Sequence, residues 1–409
     1  GRSLLEAIRE GFAHSYSAII DSNVTTILTS IVLFIYGVGP IKGFGIVLII
    51  GIIFSLFTAV LVSRLILEWW VGTKGNAVAF GSTLTRRAFK NVNLNWMGMR
   101  KYAYAFSCLL VLASFISFFT RGFELGVEFK GGYSYNVTFD KAVDAESIRQ
   151  ILGKTFGSSP IVKSVDTRNT YNITTSYLIN DNSPDVADQV NRKLHEGLNE
   201  LSGGNLKYED FVNNESSGTH IISFSQVGPV IADDIKDSAV KAIIIALIVI
   251  FVYILFRFYK WQYSAGAVIA LAHDTIITLG AFSLFHGLFG FSMEVDQALI
   301  AAVLTVIGYS INDTVIVFDR IKEILGIESQ KTDKELVNDA ISLTLSRTVN
   351  TSLATLLTII ILFFFGGAST KGFCFALVVG ILVGTYSSIF VAAPIVVDLS
   401  KNLKFAAKK

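Results

Sequence analysis

The run Ala242-Ile243-Ile244-Ile245-Ala246-Leu247-Ile248-Val249-Ile250-Phe251-Val252-Tyr253-Ile254-Leu255-Phe256 holds no charged residue, no Gly and no Pro. It is the centre of a stretch from 239 to 258, and a helix needs roughly 20 mostly apolar residues to cross the hydrocarbon core of a bilayer. Seven similar stretches lie near residues 24 to 39, 44 to 67, 102 to 119, 263 to 285, 297 to 318, 347 to 365 and 373 to 397. The first is short for a span unless the residues before Val24 continue it. Of 409 residues, 52% are hydrophobic and only 16% charged, which leaves more apolar surface than a soluble chain can hide. Eight helical spans are therefore expected.

Basic residues in the loops set the orientation. Arg64, Lys74, Arg86, Arg87, Lys90, Arg100 and Lys101 stand between the second and third stretches against one acid, Glu68, so this loop is expected in the cytoplasm. Alternation then brings Arg257 and Lys260, the segment from Arg320 to Arg347, and the tail with Lys401, Lys404, Lys408 and Lys409 to the same side, with both chain ends cytoplasmic. The opening Gly1-Arg2-Ser3-Leu4 has no initiating Met, charged leader or cleavage site, and it reads as the middle of a longer chain.

Residues 120 to 237 differ in kind. They carry 17 Asp and Glu against 11 Lys and Arg, with alternating rather than continuous apolar positions. This is expected to be a water-soluble domain on the outer side. Its pattern reads strand (133–139), helix (144–156), strand (161–165), strand (170–178), helix (185–201), strand (219–225). That β-α-β-β-α-β succession is the ferredoxin-like arrangement. The fold class expected is thus an α-helical polytopic membrane protein with one α+β extracytoplasmic domain.

Sliding the chain against itself by 329 residues aligns its two ends without a gap. Lys42-Gly43-Phe44 falls on Lys371-Gly372-Phe373, Gly37 on Gly366, Gly51 on Gly380, Glu6 on Glu335 and Thr26 on Thr355. The second copy closes a six-span unit that begins at Lys101. The first copy is then expected to close an equivalent, truncated unit, with four spans and another outer domain upstream, related by a parallel pseudo-two-fold axis along the membrane normal. Gly51 with Ser55 and Gly380 with Gly384 have the spacing that lets helix backbones approach closely, which reads as packing.

An ionisable group inside a span is costly unless paired or functional. Asp313 lies in Gly308-Tyr309-Ser310-Ile311-Asn312-Asp313-Thr314-Val315-Ile316-Val317-Phe318-Asp319-Arg320, roughly 9 Å inward of Asp319 along a helix. Arg347, in Ser346-Arg347-Thr348-Val349-Asn350-Thr351, enters the next span from the same side, so Asp313 and Arg347 are expected at comparable depth, flanked by Asn312 and Asn350. Arg cannot give up a proton, so Asp313 can be the titrating member and Arg347 the switch. A static buried ion pair fixing helix register is the alternative. His273 and Asp274 form a second polar pair, readable as an extension of the relay or as an interhelical tie. Glu294 and Asp296, roughly 25 Å from Asp313 along the helix, are expected as solvated carboxylates at the outer mouth.

Cys108 and Cys374 sit in apolar runs and read as packing residues. No phosphate loop, no metal-ligand spacing and no nucleophile triad can be placed, so no cofactor and no enzymatic activity are expected. The acidic outer domain argues against nucleic-acid binding, and the basic linker suits anionic lipid.

The Gly308–Arg320 block, Ser346-Arg347-Thr348-Val349-Asn350-Thr351-Ser352, Gly126-Val127-Glu128-Phe129-Lys130-Gly131-Gly132 and Gln226-Val227-Gly228-Pro229 closely resemble SecF. Residues 17 to 61, with Asp21-Ser22-Asn23-Val24-Thr25-Thr26 and Gly37-Val38-Gly39-Pro40-Ile41-Lys42-Gly43-Phe44, resemble the end of SecD. Together they look like a fused SecDF of the resistance-nodulation-division superfamily. The resemblance implies residues 1–67 as the last two helices of a SecD-like half, 68–101 as a basic cytoplasmic linker, and 102–119 as the first helix of a SecF-like half. It further implies 120–237 as the extracytoplasmic domain, 238–400 as five more helices and 401–409 as a basic tail. It implies use of the proton gradient to help preproteins through the SecYEG channel of the bacterial inner membrane after SecA has started them, with a YajC-like subunit nearby. Asp313 and Arg347 match the family's intramembrane residues linked to proton flow. The family's SecD-half aspartate falls outside this chain, which puts in doubt that the chain exports on its own. A scaffold that organises the channel, and a superfamily exporter of lipids or drugs, are the other readings.

Overall fold

The computed structural model describes residues 3–37, 40–75, 94–165, 169–181, 183, 185–214, 216, 218–289, 291, 293–327, 331–367 and 370–400. Arg86, Arg87 and Lys90 of the expected linker and the whole tail 401–409 lie outside them. Helix α1 (Leu4–Tyr36) opens with a capping box in which Ser3 Oγ accepts from Glu6 N and the Glu6 carboxylate accepts from Ser3 N. Helix α2 (Pro40–Phe57) runs through one π turn at Thr58–Val62 into α3 (Ser63–Lys74), which Gly75 ends in the left-handed conformation. Helix α4 (Trp96–Thr120) then leads to the α+β domain, the one expected to be soluble.

That domain comprises α5 (Val127–Lys130), β1 (Gly132–Thr138), α6 (Ala145–Phe156), β2 (Ile161–Ser164), β3 (Thr170–Thr175), α7 (Val186–Leu201), α8 (Tyr208–Val212) and β4 (His220–Val227). The strands lie in the order β2-β3-β1-β4 with every neighbour antiparallel. Alternation along β1 explains the two faces of the sheet. Tyr133, Tyr135 and Val137 are fully buried with Ile148 and Leu152 of α6 and Val190, Leu194 and Leu198 of α7. Ser134 and Asn136 point the other way, where Asn172 Nδ2 donates to Ser134 Oγ at 2.9 Å and to Asn136 Oδ1 at 2.8 Å. The helices α5 and α8 are little more than one turn long, too short to show a periodic pattern, and escape a sequence reading.

The remaining helices are α9 (Pro229–Phe258), α10 (Trp261–Phe285), α11 (Gln297–Ile327), α12 (Asp333–Phe365) and α13 (Lys371–Ser387), the last passing through a π turn at Ser388–Ala392 into α14 (Ala393–Leu399). Seven helices of the described residues are long and apolar enough to cross a membrane, and the chain is a multi-pass membrane protein. The expected span at 24–39 falls in α1, whose apolar part, Asn23–Tyr36, is shorter than the other seven. The helix itself runs on past Asn23 to Leu4, so the residues before Val24 do lengthen it.

Helix α11 is the centre of the bundle, buried on nearly every side. Helix α13 approaches it closely because two glycines leave room. A Cβ built on Gly380 would lie 2.2 Å from Val306 Cγ2, and one on Gly384 would lie 2.9 Å from Ser310 Cβ. The aligned Gly51 of α2 meets nothing within 4 Å, and the residues around it, Val47, Ile50 and Phe54, are exposed. Of the aligned pair, Gly380 is therefore a packing position and Gly51 is not; α2 makes its own close approach to α1 at Gly45, where a Cβ would lie 2.8 Å from Phe34 N. Gly380→Leu should lower the thermal unfolding temperature in detergent by the equivalent of about 2–3 kcal/mol through overpacking, whereas Gly51→Leu should leave it unchanged.

Candidate functional site: a carboxylate network inside the bundle

Among the described residues the bundle interior holds two carboxylates, one helical turn of α11 apart in their contacts. Asp274 of α10 is fully buried. Its Oδ1 faces His273 Nδ1 at 2.9 Å, and its Oδ2 accepts from Ser310 Oγ of α11 at 2.6 Å and from Ser387 Oγ of α13 at 2.8 Å. Three helices thus meet on one carboxylate. The His273 contact suits the Nδ1–H tautomer, and Nε2 is buried with no hydrogen-bond partner. The His273 ring stacks on Tyr386, with centroids 6.2 Å apart, and Tyr386 Oη donates to Ala103 O at 2.9 Å, which brings α4 into the same cluster.

Asp313 lies three residues beyond Ser310, 1% exposed. Its one hydrogen bond is a long one from Ser352 Oγ of α12, at 3.4 Å to Oδ2, and its Oδ1 is buried without a partner. Ser352 is held more firmly by Thr385 of α13, the two hydroxyls being 2.7 Å apart. Asn312 Oδ1 and Thr314 Oγ1, next to Asp313 along α11, and Thr348 Oγ1 of α12 are likewise buried and unpartnered. The region on α11 is polar on two sides and closely packed on a third, where Gly308 receives Thr26 and Thr29 of α1.

Arg347 does not complete the site as an ion pair. It lies on the exposed side of α12 with Asn350 and Thr351, while Thr348 and Ser352 of the same helix face inward. The Arg347 charge reaches Asp313 only through space, and Asn350 Nδ2 turns back to Ser346 Oγ at 3.5 Å. The static buried pair, one of the two readings of these residues, is therefore absent from this conformation.

Glu294 departs from expectation, whereas Asp296 is only half-buried. Glu294 is buried and ion-paired to Lys163 of β2 at 2.5 Å rather than solvated, because the soluble domain lies across it. Ser310, Ser352, Thr385 and Ser387 escape a sequence reading, because the groups they bond lie on other helices.

A polytopic helical bundle with a polar centre and one α+β domain places the chain among multi-pass membrane proteins, and comparison with known chains narrows the class. Residues 207–402 match the family model "Protein export membrane protein SecD/SecF, C-terminal", and residues 116–143 match "SecD/SecF GG Motif". The paired glycines of that motif have a physical reason: Gly131 and Gly132 have φ of 76° and 151°, and a Cβ on Gly132 would lie 2.6 Å from Thr175 O. The chain is 44% identical over 313 residues to protein translocase subunit SecF of Rhodothermus marinus, covering 76% of this chain and 95% of that one. It is 34% identical over 406 residues to protein translocase subunit SecDF of Thermus thermophilus, covering 99% of this chain and 51% of that one. The crystal structure of SecDF from Thermus thermophilus superposes with a TM-score of 0.78 at 32% identity, over 97% of this chain and 50% of that chain. The chain belongs to the SecD/SecF family of protein-export membrane proteins. It spans nearly the whole of the SecF relative and about half the length of the SecDF relatives.

Asp274→Ala removes the acceptor shared by Ser310, Ser387 and His273. It should destabilise the protein by about 2 kcal/mol or more, read as thermal unfolding in detergent. Ser352→Ala, which removes one long bond to Asp313, should cost less than about 1 kcal/mol by the same measurement.

Proposed function

We propose that this chain acts as an accessory subunit of the Sec preprotein translocase, using the proton gradient to promote late stages of export across the bacterial inner membrane. Its partners on this reading are the SecYEG channel, a YajC-like subunit and the preprotein in transit, with SecA acting indirectly. The observation that carries it is Asp313: a carboxyl group at the centre of the most buried helix, with one oxygen unpartnered and the other held by a single long hydrogen bond. A group so loosely tied can change charge without breaking a network, whereas Asp274 is tied into three helices. The relay alternates Asp313 between a neutral form with Arg347 withdrawn and an ionised form with Arg347 close, and the exposed Arg347 is the withdrawn state.

The domain between α4 and α9 is, on this reading, ferredoxin-like and periplasmic. Its strand order, read from the β4 edge as 4-1-3-2, with all neighbours antiparallel, favours that assignment. Residues 1–67 are the last helices of a SecD-like half, and the two helix pairs are related by a pseudo-two-fold axis along the membrane normal. Three local parallels at the 329-residue offset favour the axis. Ser3 with Glu6 and Thr332 with Glu335 both form capping boxes. Gly37 and Gly366 both end their helices by donating to a leucine carbonyl four residues back. Phe44 and Phe373, aligned partners, touch edge to face at 6.1 Å, as equivalent residues do beside a two-fold axis.

Asp313→Asn holds the position neutral and should abolish gradient-stimulated export while the protein still inserts and accumulates. Arg347→Lys keeps the charge but loses the planar fork and should impair the cycle. The assay uses membrane vesicles containing the Sec channel and complete SecD-like and SecF-like halves, with a preprotein committed to the channel and a proton gradient imposed. Normal stimulation by a folded Asp313→Asn protein would leave the scaffold reading in front. The topology is checked separately: thiols introduced at Asn172 and Asn205 should react with an impermeant reagent from the outer face, and one at Lys74 should not.

A further inference from the structure

The soluble domain meets the bundle at a second set of charged groups that the relay does not use. Glu124 to Gly126 run beside Val295 as a short parallel bridge, with Val295 N donating to Glu124 O at 2.7 Å and Gly126 N to Val295 O at 2.9 Å. Helix α11 begins directly afterwards, and Asp296 caps it by accepting from Leu299 N at 2.8 Å. From the other side β2 brings Lys163, whose Nζ lies 2.5 Å from Glu294 Oε2, with the Glu294 side chain 3% exposed. Glu128 of α5 crowds the same glycine as Asp296: a Cβ on Gly126 would lie 3.0 Å from Glu128 Oε2 and 3.2 Å from Asp296 Cβ. The junction borders a cavity of about 940 Å³ whose other charged lining groups are Glu124 and Arg149. Among the described residues no cluster of His, Cys, Asp and Glu suits a metal ion, so these carboxylates call for another role.

We propose that Lys163, Glu294, Glu128 and Asp296 form a proton-sensitive latch by which the soluble domain grips the start of α11, the helix that carries Asp313. The latch goes beyond the export reading and does not require that Asp313 moves protons. The Lys163–Glu294 pair and the backbone bridge supply the grip. The two further carboxylates make the grip depend on protons, because three ionised carboxylates around one ammonium repel one another in a desolvated junction. Burial pushes the Glu128 carboxyl above its ordinary range, with the Asp296 charge adding to the rise and Lys163 opposing it. Burial also pushes Asp296 up, against the pull of the Leu299 N–H and of Lys163. The docked junction therefore holds protons more tightly than the separated one. Lowering the pH into this raised range strengthens docking, and raising the pH through it removes the protons and weakens docking.

Hydrogen exchange on the full chain in lipid nanodiscs tests this at the amides of Gly126 and Val295, the two donors of the bridge, after correction for the intrinsic pH dependence of exchange. Their protection should fall from mildly acidic to mildly alkaline pH, by roughly tenfold for each unit by which docking raises a carboxyl pKa. Amides in the middle of α11 should not follow. Glu128→Gln combined with Asp296→Asn keeps the shapes and the helix cap but releases no proton, so protection should be high and independent of pH. Lys163→Met should lose protection at every pH. Lys163→Met with Glu294→Gln should recover part of it and keep the slope set by Glu128 and Asp296. A flat profile in the unaltered chain, or an unchanged slope in the Glu128→Gln and Asp296→Asn variant, overturns the latch. Both faces of a nanodisc see one pH and no export is measured, so this result and the outcome for Asp313 stand apart.

Discussion

A carboxylate in the middle of a membrane helix has no water to solvate it, and much of the bundle is arranged around satisfying Asp274. Each of its bonds comes from a different direction: His273 beside it, Ser310 from α11 and Ser387 from α13. Serine is suited to the task because its hydroxyl donates without holding helices apart. The same economy appears at Gly384, where the absent side chain lets α13 reach Ser310. Small residues and hydroxyls are thus two parts of one solution, and they bind α10, α11 and α13 into a unit.

Helix α12 stands in a different relation to that unit. Its inward hydroxyl, Ser352, bonds Thr385 at 2.7 Å and Asp313 only at 3.4 Å. Nothing strong joins α12 to Asp313, and the guanidinium on its outer side is not engaged with it. The proposed cycle needs such an asymmetry, with one carboxylate fixed by a triad of partners and its neighbour able to exchange them. A shift of α12 that brought Arg347 inward would exchange weak contacts around Asp313 and leave the Asp274 tie untouched.

Much of this was legible in the sequence, for reasons that differ from place to place. The spans at 239–258 and 263–285 announce themselves because lipid permits long apolar runs that a soluble fold would interrupt. The strand and helix limits in the soluble domain came within a few residues, because alternation and the Asp144 cap are local signals. The first span was ambiguous because Asp21-Ser22-Asn23 interrupt its apolar run, although the helix continues through them to Leu4. The role of Asp274 was harder to read: two of its hydroxyl partners lie 36 and 113 residues away, and no local pattern marks Ser310 or Ser387. Glu294 failed for the same reason, since the lysine that neutralises it comes from another domain.

The position of α11 gives these separate features a common frame. Its first turn is capped by Asp296 and bridged to the soluble domain through Val295, and Asp313 follows about 25 Å further along the same uninterrupted helix. A helix packed on nearly all sides does not bend easily, because interiors at crystal-like density transmit displacement rather than absorb it. If the proposed latch changes how the domain grips Val295 and Glu294, the change would reach Asp313 as a tilt or translation of the whole rod. Two hydrogen bonds from that rod to α12, Asp313 with Ser352 and Tyr309 with Thr355, are both 3.4 Å long and are the ones such a displacement would change most easily.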